Sequence, residues 1–120
     1  MARILLVDDE QIILETVGAL LESQGHEIIP VLKAQDAIGM LRNLKHRFHL
    51  LLADLRMSPV DGLALIEVAR KFRPSIPVVV VSAYLDDAMQ KKVKGLGCVG
   101  FVKKPFTVDD VLKAVSDALK

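Results

Sequence analysis

The chain has 120 residues, enough for one domain with one core and too few for two ordinary domains. A hydrophobic content of 52% excludes disorder, and a net charge of +1 gives no pull toward nucleic acid or an anionic membrane. The single cysteine excludes an internal disulfide, no apolar run is long enough to span a bilayer, and the start has no signal-peptide pattern, so a cytoplasmic location is expected.

The first predicted strand covers 3–7, with Ile4-Leu5-Leu6-Val7 running into Asp8 and Asp9. The period then becomes helical, with Ile12, Ile13, Val17, Leu20 and Leu21 expected on one face and Gly25 as the stop. A short strand is expected over 27–31. Ala34, Ala37, Ile38 and Leu41 mark a second helix ending near Leu44.

The next strand, 49–53, carries Leu50-Leu51-Leu52-Ala53 and ends in Asp54. An uninterrupted apolar run of this length reads as a strand buried on both faces. Gly62 opens a third helix with Leu63, Ile66 and Ala69 inward, and Pro74 and Pro77 bracket its exit. The strand over 76–81 contains Val78-Val79-Val80-Val81 and runs into Ser82.

Leu85, Ala88, Met89 and Val93 suggest a fourth helix, with Gln90, Lys91, Lys92 and Lys94 on its other face and Gly95 and Gly97 closing it. A fifth strand over 98–102 leads into Lys103-Lys104-Pro105-Phe106. Thr107 and Asp110 have capping-box spacing, and Val108, Val111, Leu112, Val115 and Leu119 complete a last amphipathic helix.

Strict strand-helix alternation predicts an α/β fold: a five-stranded parallel sheet with right-handed crossovers and helices on both faces. All strand ends then point one way, toward the edge where open α/β sheets bind ligands. Asp8, Asp9 and Asp54 are brought together there, and like charges in one small site raise one another's pKa. A divalent cation relieves this; the all-oxygen donor set suits Mg²⁺, Mn²⁺ or Ca²⁺ better than zinc. Lys104 adds an ammonium and Ser82 a hydroxyl, the counter-charge and donors a phosphoryl group needs. Taken singly, Asp9 reads as a helix cap, Ser82 as the cap of the fourth helix, Lys104 as a surface lysine, and Phe101 and Cys98 as core. Their coincidence at four strand ends argues for a site.

Together these residues resemble the receiver domain of two-component response regulators, the family of the chemotaxis response regulator. The resemblance covers 1–120 as one receiver domain. It rests on Val7-Asp8-Asp9-Glu10, Asp54, Asp61-Gly62, Ser82-Ala83 and Lys104-Pro105-Phe106. It implies a flavodoxin-like, doubly wound sheet of order 2-1-3-4-5. It also implies Asp54 as phosphoacceptor from a histidine kinase or phosphotransfer protein. Asp8 and Asp9 resemble the acidic pair that holds Mg²⁺ with Asp54 and the Arg56 carbonyl. Lys104 resembles the lysine on the phosphoryl oxygens, and Ser82 and Phe101 the switch pair. The Lys104–Pro105 bond matches one that is typically cis in the family.

Downstream, the resemblance implies an output domain or effector protein reading the face of the fourth helix, fifth strand and fifth helix, and leaves a homodimer formed on phosphorylation open. It implies no membrane contact, no direct nucleic-acid binding, and no catalysis beyond self-directed phosphoryl transfer and slow self-dephosphorylation.

One departure is local: the family's proline four residues after the phosphoacceptor is Ser58 here, with Pro59 following, which bears on the Arg56 carbonyl. Three other readings compete. A Mg²⁺-dependent phosphohydrolase would carry a second Asp where Arg56 stands. A flavodoxin-like cofactor binder would need glycine where Asp8-Asp9-Glu10-Gln11 is acidic. A receiver that is never phosphorylated would have no use for the full residue set. The bulky Arg56 and Tyr84 are expected to flank the approach of water to Asp54 and slow dephosphorylation. His26, His46 and His49 have no metal-site spacing and read as surface or loop residues.

Overall fold

The computed structural model describes residues 2–55, 62–83 and 85–120. Arg56, Ser58, Pro59, Asp61 and Tyr84 lie outside the described residues, so the expectations for that loop and for water access fall outside them too. The elements in chain order are β1 (Arg3–Val7), α1 (Gln11–Ser23), β2 (Glu27–Val31), α2 (Ala34–Arg42), β3 (Leu50–Ala53), α3 (Gly62–Phe72), β4 (Val78–Ser82), α4 (Asp87–Gly95), β5 (Gly100–Lys103) and α5 (Val108–Ala118). All five strands are parallel, in the order β2-β1-β3-β4-β5, as expected.

The period-two alternation of the strands sorts their side chains into two layers. Leu5, Val7, Leu51, Ala53, Val78 and Val80 pack with residues of α2, α3 and α4. Ile4, Leu6, Leu50, Leu52, Val79 and Val81 pack with α1 and α5. Every residue of β3 is buried, which explains its unbroken apolar run. Among the described residues, no helix is long and apolar enough to cross a membrane.

Several expected details change. The buried face of α1 is Leu14, Val17, Gly18 and Leu21, and Ile12 is 61% exposed. Gly18 is part of this stripe, and a methyl there would stand 3.8 Å from Ile28 Cγ2 of β2. Helix α2 stops at Arg42, two residues early, because the Asn43 side chain accepts the Lys45 N–H (3.1 Å) and so favours a turn. Leu65 joins Ile66 and Ala69 on the inner face of α3, while Leu63 is only half-buried. Asp86, not Ser82, caps α4, accepting the Met89 N–H at 2.8 Å, and Ala88 faces out. The Thr107–Asp110 capping box forms, but Val108 beside it is 56% exposed.

The three histidines lie in loops, as expected, and two of them bond to the start of β1. His26 Nδ1 accepts the Ala2 N–H (3.2 Å) and His49 Nδ1 accepts the Arg3 N–H (2.8 Å), so they satisfy the start of β1 from both sides. Two arginines at the end of α3 tie neighbouring segments together. Arg70 donates to the carbonyls of Leu96, Pro74 and Ile76. Arg73 donates to those of Leu41, Met40, Asn43 and His46.

Candidate functional site

The strand ladder places the site. Just beyond β1, the Asp8 N–H bonds to Val31 O of β2 (3.1 Å); just beyond β3, the Asp54 N–H bonds to Val7 O of β1 (3.0 Å). Val7 pairs with Ala53, so Asp8 and Asp54 follow side by side. Beyond β5, the Lys104 N–H bonds to Ser82 O of β4 (2.9 Å). The hydrogen bonds that hold the sheet therefore hold the site residues as well.

Asp8 is 1% exposed and Asp54 7% exposed, whereas Asp9 and Glu10 are open to solvent. Carboxylate oxygens of all four lie within 4.8 Å of one another. Lys104 Nζ reaches three of these groups: Asp8 Oδ2 at 2.8 Å, Glu10 Oε2 at 2.9 Å and Asp54 Oδ2 at 3.2 Å. Burial pushes the Asp8 carboxyl above its ordinary value; hydrogen bonds from Lys104 and the Glu10 N–H pull the other way, less strongly. For Lys104, burial alone would lower the value. Its hydrogen bonds to Asp8 and Glu10, with the charges of Asp8 and Asp54, outweigh that and hold the ammonium protonated.

Among the described residues, four carboxylates thus face one ammonium. That excess negative charge, on oxygen donors alone, fits a hard divalent cation. Asp9 does not cap α1: the N-cap is Glu10, and the Asp8 side chain takes the Glu10 N–H at 2.9 Å.

Ser82 is fully buried at the end of β4, and Phe101 is half-buried on β5, paired with Val80 and packed against the layer of α2, α3 and α4. The Lys104–Pro105 peptide is cis, as expected. Arg56, the expected carbonyl ligand, lies outside the described residues. Sequence reasoning gave Glu10 no role. The signal was a third acidic residue straight after the Asp pair, and only the fold shows that it turns back to Lys104.

A doubly wound parallel sheet with clustered carboxylates and one lysine at its carboxyl edge defines a class of signalling domain. Residues 4–116 match the response regulator receiver domain, and the chain belongs to that family. It is 30% identical over 121 residues to the transcriptional regulatory protein GlrR of Escherichia coli strain K12, a match covering 99% of this chain and 26% of that protein. It is 27% identical over 119 residues to the chemotaxis protein CheY of Treponema pallidum, covering 98% of this chain and 83% of that one. A CheY-like receiver domain protein from Methanospirillum hungatei JF-1 superposes with a TM-score of 0.92 at 28% identity, covering 99% of this chain and 94% of that one. The chain spans about a quarter (26%) of the length of the first curated relatives it matches.

Proposed function

We propose that residues 1–120 act as one phosphorylation-controlled switch of a two-component system, working in the cytoplasm. Asp54 is the phosphoacceptor. Its carboxylate oxygen bonds to phosphorus as the bond from phosphorus to the imidazole nitrogen of a histidine kinase or phosphotransfer protein breaks. The observation that carries this reading is the convergence of Lys104 Nζ on both Asp8 and Asp54. It supplies a fixed cation beside a nearly buried nucleophile, where developing charge on phosphoryl oxygens is stabilised most.

Asp8, Asp9 and Asp54, with the Arg56 carbonyl, are the residues that would hold Mg²⁺, which when bound supplies counter-charge to the phosphoryl oxygens. Ser82 and Phe101 pass the change to the face of α4, β5 and α5, which an output domain or effector protein reads. The chemistry is self-directed; the domain turns over no separate substrate.

The test is intact-mass analysis after incubation with acetyl phosphate and Mg²⁺. The wild type gains one phosphoryl group, mapped to Asp54, and Asp54→Asn gains none. In the same series, Mg²⁺ raises the melting temperature of the wild type and not of Asp9→Ala. Saturation a hundredfold above Kd corresponds to about 2.7 kcal/mol. An adduct mapped to Asp8, Asp9 or Ser82 would overturn the assignment.

A further inference from the structure

Glu10 stands at the N-cap of α1, where a side chain ordinarily accepts a helix N–H, yet its carboxylate makes no such bond. It reaches across the site to Lys104 instead, at 2.9 Å. A lysine ammonium has three N–H groups. Here Asp8, Glu10 and Asp54 accept at 2.8, 2.9 and 3.2 Å, so each N–H has an acceptor and the longest bond is the one to Asp54.

A phosphoryl group on Asp54 puts new anionic oxygens beyond the carboxylate, farther out than Asp54 Oδ2. To follow them, the ammonium has to move outward, away from the place where its two shorter bonds hold it. Asp8 is held in place: its side chain is only 2% exposed and also accepts the Glu10 N–H. Asp8 has no water to turn to in place of the ammonium, so this bond is the harder of the two to give up. The Glu10 side chain is 55% exposed and passes into water at little cost.

We infer that Glu10 is a positioning residue, a releasable latch that holds Lys104 in the unphosphorylated arrangement and competes with the phosphoryl oxygens for its N–H. This rests on Asp54 being the phosphoacceptor. The latch lowers the affinity of the site for a phosphoryl group and makes that affinity sensitive to one solvent-exposed side chain.

The probe is beryllium fluoride, a phosphoryl mimic that adds to a carboxylate oxygen, titrated in Mg²⁺ and followed by NMR. Two variants separate contact from charge. Glu10→Gln removes the charge; Glu10→Asp keeps it but is one methylene short of Lys104. Both are expected to bind the mimic roughly two- to tenfold more tightly than the wild type, the range of an exposed charge-assisted contact. Tightening in Glu10→Gln alone would make the effect plain charge repulsion and overturn the latch, as would no change in either variant.

Mg²⁺ affinity, measured without the mimic, is the second readout. A loss of more than about tenfold in Glu10→Gln would place Glu10 in the metal site, as a ligand or as support for one, and equally overturn the latch. Failure of the underlying reading looks different: the wild type would not bind the mimic, or Asp54→Asn would bind it equally well, and the latch would fall with it.

Discussion

Gly62 opens α3 directly against the end of β3, and its N–H bonds to Leu55 O at 2.7 Å. A methyl added there would stand 2.5 Å from Leu55 Cα, 2.9 Å from Asp54 C and closer still to the Asp54 carbonyl oxygen. Real Cβ atoms essentially never approach within 3.0 Å, and all three neighbours are backbone, so no side chain can swing aside. Either the Asp54–Leu55 backbone shifts, against the ladder bond from the Asp54 N–H to Val7 O, or α3 lifts and loosens Leu65, Ile66 and Ala69.

Gly62→Ala is therefore expected to cost about 3 kcal/mol, the upper end of overpacking. In a domain of this size that is a fall of roughly 10 °C in melting temperature. Because the strained atoms belong to the phosphoacceptor residue, the initial rate of modification by acetyl phosphate should fall as well. A displacement of about 1 Å is worth on the order of a hundredfold. Gly39→Ala is the control. Gly39 is exposed within α2, lacks a positive φ, and has nothing within 4 Å of its added methyl, so this change should stabilise the protein by about 0.5–1 kcal/mol. Circular-dichroism melts and the labelling rate read both variants. If Gly62→Ala melts within about 2 °C of the wild type and labels at its rate, the reasoning is wrong.

Arg73→Met should destabilise by about 2 kcal/mol, since it strips a charged donor from carbonyls at the end of α2 and from the face of Phe48. Urea unfolding measures the loss, and modification of Asp54 should persist in the folded protein; a loss no larger than that of a neutral surface substitution would refute the clamp. Burial pushes the Cys98 thiol from 9.0 up to about 11, with the charge of Arg70 pulling slightly back. The folded state thus keeps this proton to higher pH than the unfolded chain, and the thiol costs stability as pH rises from 9.0 toward about 11. Alkylation at about pH 8 should be some hundredfold slower in the native protein than in urea; equal rates would contradict the burial.

The alternation of apolar strands and amphipathic helices was enough to predict a parallel α/β sheet, because two-sided burial forces unbroken runs such as Leu50-Leu51-Leu52-Ala53. The candidate site was legible for a related reason: Asp8, Asp54, Ser82 and Lys104 each interrupt or follow such a run, and parallel strands bring their carboxyl ends to one edge. The strand order came from resemblance, since periodicity carries no information about which strands are neighbours. The inward face of α1 was misjudged at Ile12, because overlapping apolar stripes on one helix differ only in which packs against the sheet.

Composition and periodicity by themselves therefore determined the fold class, the expected core and the gathering of acidic residues at one edge, because these follow from burial and from the direction of the chain. Only the tertiary structure decided the contacts between distant residues: Glu10 with Lys104, Arg73 with the end of α2, His26 and His49 with the start of β1, and Gly62 against Asp54. These depend on side-chain reach and on how closely backbones approach after packing. They involve partners as far as 94 residues apart, for which no local pattern exists.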